Sequence, residues 1–416
     1  MRKLITISVF EHQSLCTDRG AVRISPEHLL ALQNYYGNGL PYFSLIHNGV
    51  QFNEHVGIIQ VGNLLIEVLP KADKYSNDQA TWRGLLIGML KEIYNFDVKT
   101  TSNAQLYLKP NALLDLYFEF FVKEVEYLIH AGLIKKYRKK EGNNTALKGN
   151  ILFAKHIQKN STHQERFYTS YTTYDVIHPL HQILYKTILL LKKINNNTSL
   201  QSKIGSLILN FPEMPELKVT EATFSKITFN RKSQSYKKAI EIARMILLHY
   251  HPDISKGHND ILALMFDMNK LWEQFVFISL KKHKPINYTV SAQTKKDFWK
   301  HDNGRNASIR PDIILSFDNK EFLVLDTKWK NNGDGQPSAD DLRQLYVYHQ
   351  YYQAKKVALI YPGNKNTING RYYHTNSQKL SDNICALLTL EENKDIKVWQ
   401  KEIFLKIDNW AKEVTF

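Results

Sequence analysis

Asp326 and Lys328 stand two apart in Phe322-Leu323-Val324-Leu325-Asp326-Thr327-Lys328, a run that otherwise has the apolar pattern of a strand. Residues two apart on a strand share a face, and burying such charges without compensation costs several kcal/mol. A second carboxylate lies upstream in Arg310-Pro311-Asp312-Ile313-Ile314-Leu315, ahead of another apolar run and a polar turn. Two carboxylates offer hard oxygen ligands to a divalent ion such as Mg²⁺, which keeps several waters for chemistry. A lysine beside them can orient or help deprotonate an attacking water and stabilise charge growing on a phosphate. Asp312, Asp326 and Lys328 are therefore candidates for a phosphodiesterase centre. The competing reading is a salt bridge at a strand end.

The arrangement carries a geometric condition. Side chains alternate along strands, so Phe317 opposite Phe322 would put Asp312 opposite Thr327 and on the wrong face. The hairpin is expected to use an odd loop, such as Asn319-Lys320-Glu321, or a bulge, bringing Asp312 opposite Lys328. Gln344 and Tyr348, four apart, would share one face of a helix over Leu342 to Tyr352, with Ser338 and Asp341 as its N-cap pair. They are candidates to support the site, against plain amphipathic packing. Glu273 is a candidate third carboxylate, against an ordinary ion pair with Lys270 or Lys281.

The elements that must position these residues are read from periodicity and turn signals. A long helix is predicted from about Ile261 to His283, with Leu264, Met268, Leu271, Phe275 and Ile278 as its apolar stripe. Strands over Ile309 to Phe317 and Phe322 to Trp329 follow, then the loop Asn331 to Gln336, the helix after Ser338, and a strand from Val357 to Tyr361, in the order α-β-β-α-β. The first 100 residues read as strand-rich, over Leu4 to Phe10 and Val56 to Leu69, with Gly57, Gly62 and Asn63 at hairpin positions and Pro70 as a stop. Helical spacing takes over from about Trp82 to His130. The basic run Lys135 to Lys140 leads into Glu141-Gly142-Asn143-Asn144, which reads as an exposed loop, either touching DNA or serving as a solvated linker. Further helices are predicted over His181 to Ile194 and Tyr236 to His249.

Composition bounds the answer. The 416 residues are enough for two or three domains, and 43% hydrophobic with 23% charged residues is the balance of an ordinary folded protein. Lys and Arg outnumber Asp and Glu by 55 to 40, a formal charge of +15, which favours a polyanionic partner such as nucleic acid. Cys16 and Cys385 form no disulfide framework or zinc motif. The apolar runs are too short for a signal peptide or a membrane span, so a cytoplasmic location with no membrane contact is expected. A phosphate-cradling G-x-x-x-x-G-K-[ST] loop is missing, since Gly57 and Gly62 are followed by Asn63; any nucleotide must be bound by a different chain.

Beyond single residues, several stretches resemble the PD-(D/E)XK nuclease superfamily, and more narrowly the McrC family, the endonuclease subunits of McrBC-type (type IV) modification-dependent restriction systems. They are Phe266 through Glu273, Arg310-Pro311-Asp312, Asp326-Thr327-Lys328-Trp329-Lys330, and Asp341 through Gln344 to Tyr348. Val56 to Gly62 running into Ile66 to Lys71, and Leu147-Lys148-Gly149-Asn150-Ile151, resemble family segments in the N-terminal half.

The resemblance implies an α+β or α/β fold: a β-rich N-terminal domain with helical segments over 1–165, then 166–416 with a restriction-endonuclease-like domain, a central mixed sheet flanked by helices, whose core spans about 258–365. It implies Mg²⁺, with Mn²⁺ as a substitute, held by Asp312, Asp326 and the Thr327 backbone carbonyl. Lys328 would be the catalytic lysine. Glu273 corresponds in place to a helical acid that joins the metal set in some relatives, and Gln344 with Tyr348 resembles a supporting Q-x-x-x-Y feature. The implied partners are modified double-stranded DNA, 5-methylcytosine being one such modification, and a McrB-like AAA+ GTPase hexamer that binds the GTP and is stimulated by the N-terminal part of this chain. Two other readings stand beside it. One is a stand-alone repair or recombination nuclease, which would cut without nucleotide. The other is a non-catalytic, DNA-binding activator of the GTPase, which the intact Asp312, Asp326 and Lys328 argue against.

Overall fold

Strand β1 (Ile5–Phe10) lies parallel to a hairpin whose turn is made where the glycine signals fall. In the computed structural model, which describes residues 5–413 apart from 38, 73–77, 94–111, 196, 252–260, 303, 305, 318–320, 331–335, 375–376 and 378, contacts group the chain into two units. One comprises Met1–Ala112 and Met265–Phe416, the other Leu113–Leu264.

In the N-terminal part of the first unit, β2 (Ser14–Cys16), β3 (Phe43–Ile46) and β4 (Gly49–Phe52) form a small sheet of order β2-β4-β3, with α1 (Pro26–Tyr36) capped by Ser25. The hairpin itself joins β5 (His55–Val61) to β6 (Leu64–Leu69), with Val61 opposite Leu64. Gly62 sits at φ +56° in its turn, a conformation glycine adopts without the Cβ penalty. β1 pairs with β6 from Ile5 opposite Leu64 to Phe10 opposite Leu69, and β6 is buried throughout. Glu67 in the middle of that strand is 0% exposed. It survives there because Arg83, on α2 (Gln79–Ile93), grips both its oxygens, with Nε 2.6 Å from Oε1, while the Ser8 hydroxyl donates to Oε2 at 2.8 Å.

The second unit opens with α3 (Ala112–Ala131). The basic run that follows is not a linker, nor is Glu141 to Asn144 a loop. From Lys136 onward both lie on β7 (Lys136–Asn144), which pairs along its whole length with β9 (Phe167–Asp175), while β8 (Asn150–Ile151) pairs with the other edge of β9. The strand escaped the sequence reading because neither of its faces is apolar: its residues are alternately exposed and half-buried, so no hydrophobic alternation marks it. Its charges are partly balanced from within, Asp175 lying 3.3 Å from Lys140 and 3.9 Å from Arg138. The unit continues through α4 (Phe153–Asn160), α5 (Pro179–Ile194), α6 (Thr198–Asn210), α7 (Glu221–Ser225), α8 (Lys237–Leu248) and β10 (Tyr250–His251). The helices at Pro179 and Lys237 are those expected; α6 was unforeseen.

The predicted helix from Ile261 to His283 is two elements. β11 (Ile261–Asp267) is a strand that carries the chain out of the second unit, and α9 (Met268–His283) is the helix. Ile261, Leu262, Ala263 and Leu264 are all buried, and a short continuous apolar run fits a buried strand as well as a helix. The boundary is set by Asp267, whose carboxylate accepts the amides of Asn269 and Lys270 at 3.0 and 3.4 Å and caps α9.

After α9 come β12 (Tyr288–Ala292), β13 (Lys296–Trp299), β14 (Ala307–Ile309), β15 (Ile313–Phe317), β16 (Glu321–Thr327), α10 (Ala339–Tyr352), β17 (Lys356–Pro362), β18 (Ile368–Tyr373), β19 (Leu380–Leu390) and α11 (Ile396–Lys412). The strand expected from Ile309 is broken at Arg310-Pro311 into β14 and β15. A mixed sheet of order β12-β15-β16-β17-β19-β18 results, β16, β17 and β19 being mutually parallel. Val324, Val357 and Leu359 on one face pack with Leu345, Tyr348 and Tyr352 of α10; a fully buried leucine such as Leu345 contributes about 1.5–3 kcal/mol. On α9, Trp272 meets Trp399 of α11 at 5.7 Å between ring centroids and donates its Nε1–H to the Ile360 carbonyl of β17. The expected loop at Asn331 falls outside the described residues as far as 335. Among the described residues, no helix is long and apolar enough to cross a membrane.

Candidate active site

β15 and β16 are antiparallel, with Phe317 opposite Glu321 and Ile313 opposite Leu325. Three residues, 318–320, separate the paired ends, so the parity condition is met by an odd connection. The register continues to place Asp312 opposite Asp326 rather than Lys328. The loop begins one residue earlier than the example considered from sequence, which shifts the partner by two while leaving the face unchanged. Asp312, Asp326 and Lys328 thus extend the face that carries Ile314 and Val324, the face covered by α10.

Each carboxylate has a different support. The Thr327 amide and hydroxyl both donate to Asp312 Oδ2, at 2.7 and 2.9 Å. Asp326 is 2% exposed. Its Oδ1 accepts from Gln344 Nε2 at 3.2 Å, while Oδ2 lies 2.9 Å from the Lys328 ammonium without an aligned hydrogen bond. Burial, and next the charge of Asp312, push the Asp326 carboxyl up to about 6 against the opposing pull of Lys328. Lys328 is held above its ordinary value: burial acts the other way, and Asp326 and Asp341 overcome it. Its backbone N–H donates to the Ile360 carbonyl at 3.0 Å, so its stem leaves a strand edge that is fixed.

The candidates for support fall on the helices expected of them. Gln344 and Tyr348 lie one turn apart on α10; Gln344 Nε2 also donates to the Tyr348 hydroxyl at 2.7 Å, and that hydroxyl donates to the Arg310 carbonyl at 3.3 Å. A chain of hydrogen bonds therefore runs from the backbone before Asp312 to the carboxylate of Asp326. Glu273 is half-buried on α9 and is not engaged by the lysines of its own helix. Lys270 pairs with Asp267 at 3.3 Å and Lys281 lies over the Phe277 ring. Burial, then Asp312, raise the Glu273 carboxyl, with Asp326 adding to the effect.

Two residues at the site had no assigned part. Gln293 donates through its side chain to Glu273 Oε1 and through its amide to the Asp312 carbonyl at 3.0 Å, from a left-handed backbone at φ +56°; nothing in its sequence context marks it. Asp341 lies 3.5 Å from Lys328 and 3.0 Å from Lys330. Its N-cap role is real, its amide donating to Ser338 Oγ at 3.1 Å, and it hid the ionic one. Beyond the pair itself, Trp329 donates its Nε1–H to the buried Glu11 at 2.8 Å and its amide to Asn269 at 3.1 Å.

Comparison with known proteins agrees with this architecture. Residues 50–362 match the family described as McrBC 5-methylcytosine restriction system component. Among solved structures, the chain is similar to one from Thermococcus gammatolerans, a half-complex refined from a tetradecameric assembly of McrB AAA+ hexamers with bound McrC. The TM-score is 0.71 at 19% identity, over 97% of this chain and 100% of that one, which establishes a shared fold. A cryo-EM structure of the Thermococcus gammatolerans McrBC complex matches at TM-score 0.49 and 18% identity, over 67% and 87% of the two chains. No curated protein matches.

Proposed function

The chain belongs to the family of McrBC 5-methylcytosine restriction system components, and from that premise we propose that it is the metal-dependent DNA endonuclease subunit, built on a PD-(D/E)XK domain. The observation that carries the proposal is the convergence of Asp312 and Asp326 at paired strand ends, with the Lys328 ammonium 2.9 Å from the buried Asp326 carboxylate.

The donor set suits a hard divalent cation. Asp326 Oδ2 is buried with no aligned hydrogen bond; after burial, Asp312 raises the cost of ionising Asp326, and Asp312 with Asp326 raises that of Glu273. Mg²⁺ retains several waters and needs few protein ligands; Mn²⁺ would substitute. Asp312, Asp326 and the Thr327 carbonyl would hold it, with Glu273 as a further candidate. When bound, the ion would polarise a phosphate oxygen and lower the pKa of water.

The chain's own groups do the rest. Lys328 offers N–H donors to an attacking water and to the phosphate oxygens as they gain charge. Thr327 and Gln293 fix Asp312 and Glu273, and Gln344 with Tyr348 fixes Asp326. The similar Thermococcus gammatolerans assembly contains McrB AAA+ hexamers with McrC bound, and we assign this chain the McrC place: a McrB-like hexamer would bind GTP and deliver modified double-stranded DNA. The chain's lack of a phosphate-cradling glycine loop accords with that division.

Methylated and unmethylated plasmid, incubated with Mg²⁺ and GTP with and without the AAA+ partner, test the reading when the native chain is compared with Asp326→Ala. Loss of cutting with GTPase stimulation retained is the expected result. Cutting that survives the substitution overturns the site, and native cutting without partner or nucleotide favours a stand-alone nuclease.

A further inference from the structure

Beside the carboxylates lies a pocket of about 640 Å³ lined by Lys295, Phe298, Ser308, Arg310, Gln344 and Tyr348, among others. Its outer wall is the two-stranded ribbon of β13 and β14, which pairs Lys296 with Ile309. The ribbon is anchored to the end of α10 rather than swinging free. Lys296 Nζ donates to the Tyr351 carbonyl at 2.8 Å and lies 4.7 Å from the Tyr352 ring centroid. The Tyr352 hydroxyl is 2.7 Å from the Thr294 carbonyl and 3.2 Å from that of Ile309, and Phe298 meets Tyr351 at 5.2 Å.

Three features give the pocket a ligand chemistry. Lys295 and Arg310 are exposed and line the pocket; Arg310 acts on Glu273 at longer range, and among the described residues neither cation forms an ion pair with a carboxylate, which leaves both available to an external anion. Phe298 is 44% exposed and belongs to the lining, offering an aromatic face of the kind on which any base stacks. The lining also includes Gln344 and Tyr348, and Gln344 Nε2 donates both to Asp326 Oδ1 and to the Tyr348 hydroxyl. The volume is in the range of pockets that enclose one small ligand, about 300–1,000 Å³, and is that of a single strand's unit rather than of a duplex.

The geometry points to this pocket as the seat of one nucleotide of the cut strand, next to the phosphate that is hydrolysed, with its base against Phe298 and its phosphate between Lys295 and Arg310. The inference rests on the nuclease reading above and adds to it that one nucleotide must leave the stack for cutting, a step that unpaired or weakly paired DNA makes easier.

A labelled single-stranded oligodeoxynucleotide, titrated by fluorescence anisotropy against the full chain without divalent metal, tests it alongside plasmid cutting with the AAA+ partner, Mg²⁺ and GTP. Phe298→Ala is expected to weaken binding about tenfold and to slow cutting, and Phe298→Trp to restore both. Lys295→Ala is expected to lower the slope of log K against log[salt] by about 0.7, the loss of one single-strand phosphate contact, whereas Phe298→Ala leaves that slope unchanged. Lys397→Ala, an exposed lysine on α11, serves as the charge-matched control. If the native chain cuts DNA and both pocket variants bind and cut as it does, the pocket assignment is overturned while the nuclease reading stands. If the native chain with its partner does not cut, the nuclease reading fails and the pocket assignment fails with it.

Discussion

Two buried acid–base pairs in the first unit invite comparison. Glu67 and Arg83 lie within the N-terminal part, and Asp326 and Lys328 at the end of β16; both acids are almost fully out of solvent. Around Glu67, everything is matched: a guanidinium fork takes both oxygens and Ser8 adds a third donor. Around Asp326 the count is reversed: Asp312 and Asp341 act on it, it acts in turn on Glu273, and the Lys328 ammonium lies 2.9 Å away. A bidentate arginine closes a site, whereas a lysine among several carboxylates leaves it in want of positive charge. One pair is closed within the fold; the other, on the reading proposed above, keeps a place for a cation and a phosphate.

The sharpest way to break the comparison is to remove charge from each pair. Asp326→Asn is expected to reduce DNA cutting on the order of 10³-fold or more, yet to leave the melting temperature of the metal-free chain unchanged or higher, because a crowded carboxylate has been neutralised. Calorimetry that instead finds a large loss of stability would make Asp326 a structural residue. Arg83→Met should do the opposite. It strands Glu67 in an apolar strand and costs about 3–5 kcal/mol of stability, and Glu67→Gln in the same chain should recover part of it.

Metal addition comes next in size. Mg²⁺ at about 100 times its Kd should stabilise the native chain by about 2.7 kcal/mol and Asp326→Asn hardly at all, as read by thermal shift with and without a chelator. Gln344→Ala frees one oxygen of Asp326 and loosens Tyr348, and about a tenfold fall in cutting is expected, near 1.4 kcal/mol. The smallest effect concerns Glu11, whose carboxyl burial raises above its ordinary value despite the Lys71 amide and Trp329. A raised acid favours the folded state at low pH and loses that contribution as pH rises through its folded pKa. Glu11→Gln should therefore raise the melting temperature at pH 8 more than at pH 5, flattening the pH profile.

What the sequence disclosed follows a physical pattern. Charges inside an apolar strand, a Ser-x-x-Asp cap and a Gly-Asn turn are local statements, and Asp326, Lys328, α10 and the β5–β6 hairpin were legible from them. Gln344 and Tyr348 needed only helical spacing. The division of Ile261 to His283 was not legible from periodicity, because its first four residues are apolar on every face, although Asp267 marked the cap. β7 was invisible because a strand without an apolar face has no signature, and Gln293 because its role depends on a left-handed turn between distant elements. The partner of Asp312 was misplaced by two residues because loop length, unlike loop parity, is not dictated by side-chain alternation.

The bond from Trp329 to Glu11 has a consequence for anyone dividing this protein into parts. The residue that follows Lys328 by one is tethered to a side chain that follows the first strand by one, 318 positions away. A fragment begun near residue 258 to isolate the cutting domain would leave the Trp329 indole without its acceptor. Amputation would thus disturb the proposed site from behind, and an inactive fragment of that kind would be no evidence against the nuclease proposal.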